Sequence, residues 1–129
     1  MSKPSAFSLI EALVALAILA ILLAFVIPSF VGFLQSNTDN EIRNQAAIVA
    51  QQQMDFWRQQ AKGATGASIP LSGTSPTQTV TQGGRSYSVV TAFCPDASQC
   101  SSDKRQLRVE VRLGTRLVYS LEAVYVIFN

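Results

Sequence analysis

Three groups of residues in this 129-residue chain could carry chemistry. Cys94 and Cys100 are the only two thiols, and they enclose "PDASQ". Glu11 stands at the head of an apolar run. Lys104, Arg105, Arg108 and Arg112, with Arg116 beyond them, form a basic run. The residue types that are missing bound what these can do. The chain has 0 histidines, so a serine or cysteine nucleophile would lack an imidazole base. No HExxH, GxSxG, GxxxxGK[ST] or CxxC pattern occurs. The glycines of "GTSPTQTVTQGG" lie in a polar stretch, without the strand–glycine–helix context that cradles phosphate. The chain is therefore not read as an enzyme, and neither a metal nor a cofactor is expected.

Each group has a plain reading beside the chemical one. Two cysteines in an exported domain meet an oxidising compartment, where a disulfide is the default and two free thiols the alternative. A loop of about seven residues closed this way contributes roughly 2–2.5 kcal/mol in the chain-entropy model. The basic run could attract DNA phosphates. Against that, Asp103, Glu110 and Glu122 are interleaved with it or opposite it, and no aromatic residue stands among the cations on that face. A solvated sheet face is the preferred reading, and the net charge of +2 is too small to argue for nucleic acid.

The element that positions Glu11 is the apolar segment. From Ala12 to Leu34 the run is broken only by Pro28, Ser29 and Gly32. At 1.5 Å per residue it makes a helix of about 34 Å, sufficient for a bilayer core of about 30 Å. Fifteen of its residues are Leu, Ile, Val or Phe. They favour insertion by roughly 5–9 kcal/mol, against roughly 3 kcal/mol for a carboxylate at the bilayer centre. Insertion wins, and wins easily if Glu11 lies at head-group level. The leading "MSKPSA" carries Lys3 and no acid, so the N-terminus is expected to stay cytoplasmic and the remainder to be exported. A cleavable secretory signal is disfavoured by the length of the run and by its end, "SFVGFLQS", which offers Phe rather than a small residue at the −3 position of the best-placed cuts. A simple anchor explains the length but leaves Glu11 and Pro28 as coincidences.

The stretch "AFSLIEALVALAIL" resembles the class III signal of type IV pilins and type II secretion pseudopilins. In that family a short basic leader is cut on the cytoplasmic side, just before a phenylalanine, and the new amine is methylated. The resemblance places the cut between Ala6 and Phe7 and the methyl group on Phe7. The residue before the cut, usually glycine in the family, is alanine here. Counted from Phe7, Glu11 is fifth and Pro28 is twenty-second, the family's positions for its glutamate and its common proline. The motif covers about 30 residues, and the rest matches in general layout. An ammonium and a carboxylate are each costly in a low-dielectric helix bundle, but together they neutralise. Glu11 paired with a neighbour's Phe7 amine would pin the axial register of an assembly. Pro28 would permit a kink or local melting.

Beyond the apolar run, the chain reads as one small domain. Ile42, Ala46, Val49 and Phe56 fall on one helical stripe, with Met54 and Trp57 at its flank. "TDNE", Thr38 to Glu41, is a capping box that allows a second helix to begin there. The resemblance favours one continuous helix, and the residues leave both open. Residues 63–84 read as a long surface segment with a short strand near "TQTVT". "RSYSVVTAF", "QLRVEVRL" and "LVYSLEAVYVIF" read as strands. For the last hairpin, a two-residue Gly114-Thr115 turn pairs Leu113 with Arg116 and Leu107 with Glu122. A three-residue loop pairs Val111 with Tyr119, Val109 with Leu121 and Arg108 with Glu122. The second register keeps apolar residues together and is preferred.

The expected fold is α+β: a long N-terminal helix packed on a small antiparallel sheet, the pilin fold by resemblance. The expected organisation is a leader at 1–6, a membrane and assembly helix at 7–34, and an exported domain at 35–129. The resemblance implies a structural subunit, minor by its short domain, of a type IV pilus or a secretion pseudopilus. Its partners would be other pilin or pseudopilin subunits, the prepilin peptidase, an inner-membrane assembly platform, and lipid before assembly. A pilin of the same build that captures DNA is the second reading, and an unrelated single-pass anchor with a binding or sensor domain is the third. The expected location is the inner membrane, then a fibre in the periplasm or at the cell surface.

Overall fold

The computed structural model describes residues 8–62 and 69–126. Helix α1 runs without interruption from Leu9 to Lys62, 54 residues. The Ser8 carbonyl starts it, accepting the amides of Glu11 at 2.9 Å and Ala12 at 3.2 Å. No second helix begins at the capping box. Thr38 Oγ1 instead donates to the Leu34 carbonyl at 3.0 Å, the bond a threonine makes inside a helix. The Glu41 carboxylate is taken by Gln45 and Arg85. Gly63, the residue after the last helical one, lies outside the described residues. The chain divides into two units, Met1–Asp39 and Asn40–Asn129.

Among the described residues of the first unit, none is buried. Its large apolar side chains are exposed from Leu9 at 79% to Leu34 at 50%. By length and composition this is a helix able to cross a membrane.

The second unit is built on a four-stranded antiparallel sheet in the order β1-β2-β3-β4. The strands are β1 (Gln78–Gln82), β2 (Arg85–Phe93), β3 (Lys104–Leu113) and β4 (Arg116–Val126), with a short 3-10 turn at Ala97–Gln99. Each strand pairs with its sequence neighbour. The C-terminal part of α1 covers one face. Ala46, Val49, Ala50 and Met54 meet Tyr87, Val89 and Phe93 of β2 and Leu107, Val109 and Val111 of β3. Fully burying a side chain such as Val109 or Leu107 contributes roughly 1.5–3 kcal/mol. Trp57 closes one end of this core, edge-on to Phe93 with ring centroids 4.9 Å apart. Its indole N–H donates to Thr91 Oγ1 at 3.0 Å. At β4, the Tyr125 hydroxyl donates to the Met54 carbonyl at 3.2 Å, and burial raises the Tyr125 pKa.

The buried stripe of α1 differs from the one expected. Phe56 is 46% exposed, whereas Ala50 is 0% and Met54 7%. The helix is turned so that its small residues, Ala46 and Ala50, face the sheet. Alanine there lets the backbone approach closely, and Trp57 fills the wider space toward Phe93. Phe56 is left to contact the Trp57 ring edge, at 5.2 Å.

The β3–β4 hairpin combines both expected registers. Next to the turn, Leu113 pairs with Arg116 and Arg112 with Leu117, so the connection is the two-residue one. Gly114 has φ +61, as a tight hairpin turn requires. Between Val111 and Arg112 the register shifts. Val118 is the extra residue of a bulge, and beyond it Val111 pairs with Tyr119, Val109 with Leu121 and Arg108 with Glu122. A bulge adds one residue to one strand. It therefore keeps the favoured turn and still brings the apolar residues opposite one another.

Candidate functional site

The first unit presents Glu11 in the first turn of α1, with an exposed side chain. A carboxylate there suits the positive end of the helix dipole. Pro28 lies inside the helix. It has no N–H to give the carbonyl one turn back. Next to it, Ser29 Oγ donates to the Phe25 carbonyl at 3.2 Å. The helix therefore passes Pro28 unbroken with one backbone bond fewer. Ala6 and Phe7, the residues of the expected cut and methylation, lie outside the described residues.

In the second unit Cys94 and Cys100 form a disulfide, with Cα atoms 6.0 Å apart. Cys94 sits at φ +50, a left-handed conformation that side-chain-bearing residues seldom adopt. Two buried residues at the start of β3 hold the loop it closes. Gln106 takes it on one face of the sheet. Its N–H points to Cys100 Sγ at 3.3 Å, and its carbonyl accepts Cys94 N–H at 2.8 Å. Its Oε1 accepts Asp96 N–H at 3.0 Å. Arg105 takes the loop from the other face, donating to the carbonyls of Ser101, Ser102 and Lys104. Within the loop, Asp96 accepts the Ser98 hydroxyl at 2.7 Å and its amide at 3.0 Å. These bonds hold the Asp96 carboxyl below the usual carboxylate range.

That arrangement changes the basic run. Arg105 is 8% exposed, because it shares the strand parity of Leu107 and Val109 and points to the core side. Its guanidinium is engaged with loop carbonyls and is not at the surface. Lys104 is exposed. Arg108 pairs with Glu122, and Arg112 pairs with Glu110 at 2.9 Å. The structure thus brings Lys104, Arg108 and Arg112 to one face with carboxylates among them and withdraws Arg105. Among the described residues, no three His, Cys, Asp or Glu side chains converge as metal ligands would.

Sequence reasoning missed the contacts that dock the β1–β2 hairpin on α1. Arg85 Nη1 donates to Glu41 Oε1 at 3.1 Å and to Gln45 Oε1 at 3.3 Å. The Tyr87 hydroxyl donates to Gln45 Oε1 at 3.0 Å. Nothing local in "RNQ" or "GGRSY" signals them.

Glu11 falls within a recognised motif. Residues 1–27 match the family model described as the prokaryotic N-terminal methylation motif. The segment is a class III prepilin signal. No curated protein and no solved structure matches the chain. The prepilin signal supports a type IV pilin-like subunit, a structural rather than enzymatic kind of protein. It implies other pilins as partners and processing by prepilin peptidase. With the exposed apolar helix it points to membrane anchoring followed by assembly.

Proposed function

We propose that the chain is a minor subunit of a type IV pilus or a type II secretion pseudopilus. It is inserted with its N-terminus in the cytoplasm and its α+β domain exported. Peptidase cuts between Ala6 and Phe7, and the Phe7 amine is methylated. The subunit then leaves the bilayer through the inner-membrane platform and polymerises through residues 7–34. Glu11 of the incoming subunit pairs with the Phe7 amine of its neighbour, and Pro28 gives the helix room to bend.

The observation that carries this reading is the placement of Glu11 within the prepilin signal. It is the acid of the first helical turn, on the part of α1 whose large apolar side chains, Leu9 to Leu34, are exposed. Such a surface has two stable environments, lipid or other helices like it. A charge pair between chains selects one register among the many that apolar packing alone would allow.

The test is Glu11→Ala and Glu11→Gln in a fibre-producing cell. Membrane insertion should be undiminished, since removing the carboxylate only favours it. The amount of subunit in sheared fibres should fall by at least tenfold. Wild-type amounts of Glu11→Ala subunit in the fibres would refute the register role. DNA capture is the weaker reading: Arg105 is buried, and Arg108 and Arg112 lie against carboxylates.

A further inference from the structure

β4 is an edge of the sheet: among the described residues no strand pairs with its outer side. The opposite edge, β1, is 5 residues long, QTVTQ, and mostly exposed. β4 is 11 residues long, with no proline, glycine or lysine among them. Shortness, proline, lysine and bulges are the usual means of blunting an edge. Here the bulge at Val118 blunts only the turn end. From Tyr119 to Val126 the edge is regular and open.

Both faces of that stretch carry apolar side chains. Toward α1, Tyr119, Leu121, Ala123 and Tyr125 are only half-buried, since the fully buried strand residues of the core lie on β2 and β3. A groove between α1 and β4 is lined by Gln51, Met54, Asp55, Arg58, Leu121 and Tyr125. On the other face Val124 and Val126 are each 48% exposed.

The direction of the free main-chain groups follows from the pairing. The Cys94 N–H donates to the Gln106 carbonyl. In an antiparallel ladder these directions alternate, so Leu107 and Val109 turn their main chain toward β4. They lie opposite Ala123 and Leu121. The N–H and C=O groups of Ser120, Glu122, Val124 and Val126 therefore point to the open edge, where a further strand would satisfy them.

β4 is complementary to itself when a two-fold axis passes through Ala123. Run antiparallel, Glu122 then lies opposite Val124 of the second copy, and Ser120 opposite Val126. On the helix side Leu121 lies opposite Tyr125, so the grooves of the two copies become continuous. An axis through Glu122 would set two carboxylates directly opposite, which is destabilising. An axis through Leu121 would bring the bulge at Val118 into the pairing. Only the axis through Ala123 uses the regular stretch alone and keeps the charges apart.

We propose that β4 pairs with β4 of a second copy through residues 120–126, joining two four-stranded sheets into one. Each copy offers the same edge, so the contact closes at a dimer. It differs from a contact repeated along a fibre and does not depend on the fibre reading.

Disulfide cross-linking of the full chain, in membranes of a producing cell treated with copper phenanthroline, tests this. Ala123→Cys meets its counterpart at the axis, in a pair with Cα atoms about 4.5 Å apart, within the reach of a disulfide. It should give a homodimer, identified by mass, that reductant dissolves. Thr81→Cys, exposed on β1, should give about tenfold less, because thiols bridge only across a few ångströms. In the Ala123→Cys chain, Val124→Glu places a carboxylate opposite each Glu122 and should cut the dimer by about fivefold or more. Val124→Lys places an ammonium there and should preserve it. Val124 is exposed, so both variants leave the core intact. Absence of the Ala123→Cys dimer, an equal yield from Thr81→Cys, or a product joined to a chain of different mass overturns the pairing. A Val124→Lys chain that loses as much dimer as Val124→Glu overturns the register.

Discussion

Gly83, in the β1–β2 turn, lies so close to Gln45 of α1 that a Cβ on it would come within 2.1 Å of the Gln45 Nε2. The same glycine has φ +57. Two independent demands therefore fall on one residue: a backbone conformation that favours glycine, and the absence of a side chain where the hairpin docks. The docking it permits places Arg85 and Tyr87 on Glu41 and Gln45.

Gly83→Ala should therefore destabilise the exported domain by about 1–3 kcal/mol, through left-handed strain and displacement of the Gln45 amide. Gly84 has φ +75 but open space around it, so Gly84→Ala should cost less. Thermal or urea unfolding of the two variants side by side checks both the size and the order. Equal losses would mean that the Gln45 contact contributes nothing.

Reduction of Cys94–Cys100 should lower the melting temperature of the domain by about 10 °C. The closed loop contributes roughly 2–2.5 kcal/mol, and a domain of this length shifts roughly 4–8 °C per kcal/mol. Opening it also loosens the partners of two buried groups, since Gln106 and Arg105 are bonded to the loop. Melts of the full chain in micelles with and without reductant, and of Cys94→Ser/Cys100→Ser, give the measurement. Identical melts would mean that the loop is held by those hydrogen bonds alone.

Much of this was legible in local sequence. "RSYSVVTAF" coincides with β2, because strict alternation of Tyr87, Val89, Thr91 and Phe93 has one physical reading, a half-buried strand. The apolar run and the position of Glu11 within it were legible for a similar reason, since length and charge in a hydrocarbon setting leave few options. Features set by long-range contact were not. Phe56 fits an amphipathic stripe as well as Ala50 does, and only the packing of Trp57 against Phe93 decides which faces the sheet. Arg105 reads as one more surface cation until its strand parity and the loop carbonyls around it are known. Both hairpin registers had a sound basis, one in turn chemistry and one in apolar pairing, and Val118 reconciles them. Arg85 and Glu41 are 44 residues apart, and neither carries any mark of the other.

The central claim is that the prepilin signal is used: the chain is cut before Phe7, and the mature subunit assembles through the amine that results. The intact mass of the subunit recovered from fibres of its own cell tests this most directly, supported by N-terminal sequencing. The account predicts a chain that starts at Phe7, carries one methyl group on its amine, and lacks two hydrogens for Cys94–Cys100. Assembled subunit that still starts at Met1 or Ser2 would contradict it.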